Sequence, residues 1–217
     1  PAAGRLAFDV VESAGIHRDA APVHARLQLP QAASAGTPFR LLWKGKPVVA
    51  QFRPHGSDTK TISWWADFVA RSLPYETRRY VVEYGPEVQS LPERKGGHVL
   101  TVEKETFVIS NAPHIDWVVP RDLRGFLHSV DFPPAEHLRP DSLGLQVRDQ
   151  AGQIHVLGGS GTTAEVLRQG RMTVALRFEK TETSAALRGV KWRADLVFPG
   201  PISWVDLRLR IDDAEER

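Results

Sequence analysis

The chain reads as an all-β protein, a small β-barrel followed by an antiparallel β-sandwich, and three observations predict this. Apolar and polar side chains alternate with period two in at least twelve short segments, as strands with one buried face require. Turn-forming Pro, Gly and charged residues separate those segments at strand-like spacings. No stretch carries the apolar stripe of an amphipathic helix, which argues against alternating strands and helices.

The clearest elements lie between Thr59 and Gly85. In TKTISWWADFV, Ile62, Trp64, Ala66 and Phe68 point one way, and Thr61, Ser63, Trp65 and Asp67 the other. In TRRYVVEYG, Tyr80, Val82 and Tyr84 share one face, and Val81 and Glu83 the opposite one. The connector ARSLPYE contains Pro74, which supplies no ladder donor and belongs in a loop. Four further strands precede this pair: LAFDVVE, PVHARLQL, PFRLLWKG and KPVVAQFR. Lys44-Gly45-Lys46-Pro47 turns the third into the fourth, with Gly free to adopt positive φ. These six strands make a first domain over residues 1–90. GPEVQSLPERKGG, from Gly85 to Gly97, has the Pro, Gly and charge content of a linker.

A second domain over residues 97–217 opens with HVLTVEKETFVIS, in which Thr106 turns one strand into the next. IDWVV, RGFLHSVDF, LGLQVRD, QIHVLGG, TAEVLRQ, RMTVALRFEKT, VKWRADLVFPG and ISWVDLRLRID continue the pattern. Asp149-Gln150-Ala151-Gly152 reads as a hairpin turn. Only the segment from Pro134 to Leu138 and the acidic tail after Ile211 are open to a short helical reading.

Composition narrows the function classes. The 217 residues are 41% hydrophobic and 25% charged, ordinary for a folded domain. Net charge is +2 and basic residues are scattered, so no electrostatic footprint for nucleic acid is present. No apolar run is long enough for a membrane helix. Cysteine is absent, which removes disulfides, thiol nucleophiles and thiolate metal sites. The first residue is Pro1, consistent with a processed mature end, a trimmed domain or a removed signal peptide. The expected location is extracellular or periplasmic.

Catalytic and metal motifs are weak. His114-x-Asp116 beside Trp117 has the same-face spacing of a strand pair, but two ligands do not make a metal site. His128 and Asp131 add no fixed spacing. Gly158-Gly159-Ser160-Gly161-Thr162 imitates a phosphate cradle, yet a P-loop needs its Lys and a following helix. A hairpin loop fits better. No nucleophile elbow, cofactor motif or metal cluster stands out, so catalytic residues, cofactors and metals are all expected to be none.

LQLPQAASAGTPFRLLWKGKPVVAQFRPHGSDTKTISWWADFVARSLPYETRRYVVEYG resembles the N-terminal barrel of exo-rhamnogalacturonan lyase-type proteins, a RIFT-related β-barrel. The resemblance rests on Leu29-Pro30 at a strand end and on Gly45, Lys46, Val48 and Gln51 after a turn. It extends to the hairpin GSDTKTISWW and the closing strand YVVEYG. VLRQGRMTVALRFEKT and WRADLVFPGPISWVDLRLRI are similar to strands of the family's sandwich. Those lyases continue into a large (α/α) toroid on which catalysis depends, whereas this sequence ends at Arg217. The resemblance therefore implies a fold and a polysaccharide context, and no catalytic residue.

Sugars stack on exposed indoles through their apolar C–H faces. Trp64, Trp65 and Trp117 are the expected carbohydrate contacts, and adjacency puts one of Trp64 and Trp65 in the core. Trp43, Trp192 and Trp204 read first as packing residues on strands. The leading expectation is a non-catalytic two-domain module of an extracellular polysaccharide-processing protein, contacting polysaccharide or a C-terminal catalytic domain. The alternative is a self-associating subunit of a filament, tube or surface layer, because strand edges pair with neighbours.

Overall fold

The computed structural model describes residues 4–56, 59–91, 97–111, 115–132, 135–138, 144–200 and 202–213. Every regular element among them is a strand, and the strands form antiparallel sheets. The fold is all-β. Among the described residues no helix is long and apolar enough to cross a membrane. The chain folds as two compact units, Pro1–Lys95 and Gly96–Arg217.

The first unit contains β1 (Gly4–Val11), β2 (Arg18–Ser34), β3 (Phe39–Trp43), β4 (Lys46–Val48), β5 (Ala50–Pro54), β6 (Lys60–Ser72) and β7 (Thr77–Tyr84). They form a four-stranded sheet in the order β1-β7-β3-β4 and a three-stranded sheet in the order β2-β6-β5. The turn between β3 and β4 puts Lys44 at φ 49° and Gly45 at φ 74°, the paired left-handed residues that a two-residue hairpin uses. KPVVAQFR, expected as one strand, breaks at Val49 into β4 and β5, which belong to different sheets. The two sheets share one core. Trp64, Ala66 and Phe68 of β6 and Tyr80, Val82 and Tyr84 of β7 are buried in it. Their rings interlock, with Phe39 to Trp64 at 4.5 Å and Phe68 to Tyr80 at 4.9 Å between centroids. Such rings bury roughly 150–250 Å² each, so period-two placement of aromatics accounts for most of this core.

The second unit contains β8 (Val99–Val102), β9 (Thr106–Asn111), β10 (Ile115–Pro120), β11 (Ser129–Phe132) and β12 (Ala135–Leu138), then β13 (Gln146–Arg148), β14 (Ile154–Val156), β15 (Thr163–Arg168), β16 (Thr173–Thr181), β17 (Lys191–Pro199) and β18 (Asp206–Asp212). A five-stranded sheet runs β12-β11-β10-β9-β8, β13 and β14 pair as a hairpin, and a four-stranded sheet runs β15-β16-β17-β18. Phe107, Ile109, Trp117 and Val119 from the larger sheet meet Leu176, Phe178, Trp192 and Phe198 from the smaller one in a common core.

Several local expectations need correction. Ala135–Leu138 is a strand rather than a helix, paired with β11, and Pro134 lies outside the described residues. The acidic tail continues β18 through Asp212, and residues 214–217 lie outside the described residues. Thr106 opens β9 instead of forming the turn, and its carbonyl accepts the Glu103 N–H at 2.9 Å. Within RGFLHSVDF only Ser129–Phe132 is strand. Leu123 at φ 55° and Phe126 at φ 65° bend the chain before it, a conformation that cannot continue a ladder. The Asp149–Gly152 turn is as expected: Gly152 N–H donates to the Asp149 carbonyl at 3.0 Å, and Gln153 N–H to Asp149 Oδ1 at 2.9 Å.

Candidate functional site

The three expected carbohydrate-contact residues divide by strand phase. Trp64 is 1% exposed and donates its Nε1–H to the Thr61 carbonyl at 2.9 Å. Trp117 is 2% exposed and packs 5.5 Å from Phe198. Both point toward the core between two sheets, so neither ring is open to a sugar. Trp65 faces the other way and is half-buried. Trp204 also departs from expectation, lying before β18 rather than on a strand, with 51% of its surface exposed.

The other singled-out motifs are not assembled into a site. His114 lies outside the described residues. Asp116 sits directly opposite Asp131 across β10 and β11, and His128 is exposed in the preceding loop. Among the described residues no group of three His, Cys, Asp or Glu could hold a metal ion. The glycine run connects β14 to β15, strands of different sheets, so it is an inter-sheet loop rather than a hairpin. A Cβ at Gly158 would approach the Asp122 carbonyl to 2.8 Å, and Gly159 N–H donates to that same carbonyl at 2.8 Å. Close backbone packing at Gly158 and positive φ at Gly158 (106°), Gly159 (80°) and Gly161 (85°) account for these glycines without a phosphate.

Around Trp65 the outward face of β2-β6-β5 carries a polar constellation that alternation alone did not single out. The register sets His24, Asp67 and Gln51 in one cross-strand row and Arg26, Trp65 and Arg53 in the next. Asp67 is 1% exposed and takes a 2.7 Å hydrogen bond from His24 Nδ1. Arg53 Nε lies 3.6 Å from the second carboxylate oxygen, and its guanidinium carbon stands 5.2 Å from the Trp65 ring centroid. His55 stacks on the same indole at 5.6 Å. Trp65 is thus engaged by its own neighbours, and the row works as an ion-pair and cation–π network.

The second unit offers an open cleft. On β15-β16-β17-β18 the side chains facing away from the core form cross-strand rows of charge. Glu165, Arg177, Asp195 and Arg208 make one row; Thr163, Glu179, Arg193 and Arg210 make the next; Thr181, Lys191 and Asp212 end the series. Arg177 is held by Asp195 through Nε at 2.7 Å and Nη2 at 2.9 Å, Arg193 by Glu179 at 2.6 Å, and Arg210 by Asp212 at 3.0 Å. At the end of these rows lies a cleft of about 450 Å³. Thr163, Glu179, Lys191, Arg193, Arg210 and Asp212 line it, over Trp192. Trp192 is anchored below by a 2.8 Å hydrogen bond from Nε1 to buried Glu182, whose other oxygen meets Lys180 Nζ at 2.9 Å. Guanidinium and ammonium groups beside hydroxyls on rigid strands suit the recognition of carboxylate-bearing polar ligands. A pairing register was needed to see this, because the lining residues come from separated segments.

No family model matches this chain, and no curated protein matches it either.

Proposed function

We propose that the chain is a non-catalytic β module of an extracellular polysaccharide-processing protein, and that it binds acidic polysaccharide at the cleft over Trp192. The observation carrying this reading is the lining itself: Lys191, Arg193 and Arg210 on adjacent strands, the two Arg oriented by Glu179 and Asp212, with the hydroxyls of Thr163 and Thr181. Uronate carboxylates take bidentate bonds from Arg, and sugar hydroxyls exchange bonds with Thr and the carboxylates. The barrel-plus-sandwich organisation suggested by the resemblance supports the polysaccharide context. The alternative of a self-associating structural subunit draws support from the exposed edge strand β18.

The test is titration calorimetry with polygalacturonate and with a neutral glucan. Binding to the acidic polymer alone, weakening with salt and lost in K191E and R193E, is expected. Equal affinity for both polymers, or unchanged binding by those variants, overturns the cleft. Release of reducing or unsaturated ends that persists through purification and vanishes with one carboxylate substitution overturns the non-catalytic assignment.

A further inference from the structure

Strand β18 is the edge of its sheet, and all seven of its residues are exposed. Leu207, Leu209 and Ile211 lie opposite Leu196, Ala194 and Trp192 on the core side, yet they keep 38%, 39% and 41% of their surface in water. Edge strands are ordinarily guarded by shortness, a bulge, Pro or charged side chains, Lys above all, and the four charges of β18 restrict which strand it can accept. DLRLRID has neither Pro nor Lys, and its register with β17 runs unbroken from Asp206 to Asp212. Such an edge invites another strand.

The charges indicate which strand. An antiparallel partner must keep the apolar row on one side, so only pairings between residues of like parity qualify, and of these an axis at Leu207 or Ile211 overlaps just three residues of the strand. If two copies of β18 paired about Leu209, Asp206 would oppose Asp212 and Arg208 would oppose Arg210, setting like charges together. Pairing about Arg210 would crowd two Arg210 side chains beside Arg193, which is already its cross-strand neighbour. Pairing about Arg208 sets Asp206 opposite Arg210 twice and Leu207 opposite Leu209 twice. The two Arg208 side chains meet at the axis, each with Asp195 beside it in its own sheet.

We propose that β18 pairs antiparallel with β18 of a second copy of this chain, about a two-fold axis at Arg208, joining two four-stranded sheets into one. The contact is isologous, so it closes as a dimer and does not propagate a filament. The register also carries Trp204 of one copy toward Asp212 of the other, which lines the cleft. The dimer thereby adds an exposed indole to each cationic cleft, and this second part rests on the polysaccharide reading above.

Sedimentation equilibrium without polysaccharide tests the pairing, with a particle of twice 24.1 kDa expected. D206R and R210D should each be monomeric, since one sets Arg against Arg and the other Asp against Asp. An equimolar mixture of the two should form a heterodimer, and D206R/R210D should dimerise again. The chain has no cysteine, and residues opposed in an antiparallel ladder stand about 4.5–5.5 Å apart at Cα, within disulfide reach. R208C should therefore cross-link to itself on oxidation and R210C should not. A monomeric wild type at its highest soluble concentration, or D206R dimerising like wild type, overturns the pairing. W204A should keep the dimer and bind polygalacturonate at least several-fold more weakly. Unchanged binding by W204A overturns the shared cleft alone. A dimer that binds no polysaccharide overturns the proposed function and leaves the pairing standing.

Discussion

Arg177 grips Asp195 across β16 and β17 with two parallel hydrogen bonds, at 2.7 and 2.9 Å. The pair is half-buried in the outward face of the sheet, and the bonds to Asp195 raise the Arg177 pKa. Asp195 also stands opposite Arg208 in the register of β17 and β18. D195A should lower stability by about 1–2 kcal/mol, read from the urea midpoint, and a double-mutant cycle with R177A should recover most of that as coupling. Additive single effects would contradict it.

Glu182 is buried and spans two elements of the second unit, accepting from Trp192 Nε1 at 2.8 Å and pairing with Lys180 at 2.9 Å. Removing it strands the indole N–H and leaves the largely buried Lys180 ammonium its 2.9 Å bond to the Gly158 carbonyl but no counter-charge. E182A should cost about 3–5 kcal/mol, measured by chemical denaturation. E182Q keeps an acceptor for the indole and should cost less. Equal losses for both would assign the effect to packing alone.

What the sequence disclosed follows from how local each cause is. Alternation is a property of a few consecutive residues, so the buried sets Trp64-Ala66-Phe68 and Tyr80-Val82-Tyr84 were readable directly. The hairpin at Lys44-Gly45 was readable for the same reason. The row Glu179-Arg193-Arg210 was not, because it exists only once three separated strands take their register. His24 and Asp67 lie 43 residues apart and meet only through β2–β6 pairing. Trp204 shows the complementary limit: its segment alternates like a strand, but no ladder reaches it and the indole stays in water.

Glu12 closes the loop after β1 by accepting backbone N–H bonds from Ala14 at 3.0 Å, Gly15 at 2.8 Å, Ile16 at 3.2 Å and Tyr75 at 3.1 Å. Burial alone would raise its pKa, and these four donors outweigh burial and lower it. A carboxylate whose folded pKa is lowered adds stability that is complete above its ordinary pKa and is lost as pH falls from there through the lowered folded pKa. E12Q should therefore flatten the acid limb of stability against pH between the ordinary and the lowered pKa. It should also speed amide exchange at Gly15 and Ile16. An acid limb identical to wild type would refute the assignment.

His98 makes the opposite use of burial. Only 3% of it is exposed, its ring stands edge-on to Trp117 at 5.7 Å, and a Cβ at Gly200 would come within 3.3 Å of its Nε2. Burial pushes the imidazole pKa down. The carbonyls of Pro199 and Phe198 pull the other way, but neither reaches good hydrogen-bond geometry with the ring. The folded protein therefore holds His98 neutral while the unfolded chain protonates it near its ordinary pKa of about 6.5. Stability from this group is complete above that value and declines as pH falls toward the lowered folded pKa, because the unfolded state takes up the proton first. This window opens near the ordinary imidazole pKa, above the ordinary carboxylate pKa at which that of Glu12 opens, so its onset is distinguishable in a single pH series. H98F, similar in volume and unable to titrate, should remove the decline just below neutral pH and leave the acid limb intact. Thermal midpoints recorded from pH 8 to pH 5 on wild type and H98F decide it: curves that stay parallel across that range would show that His98 does not set this dependence.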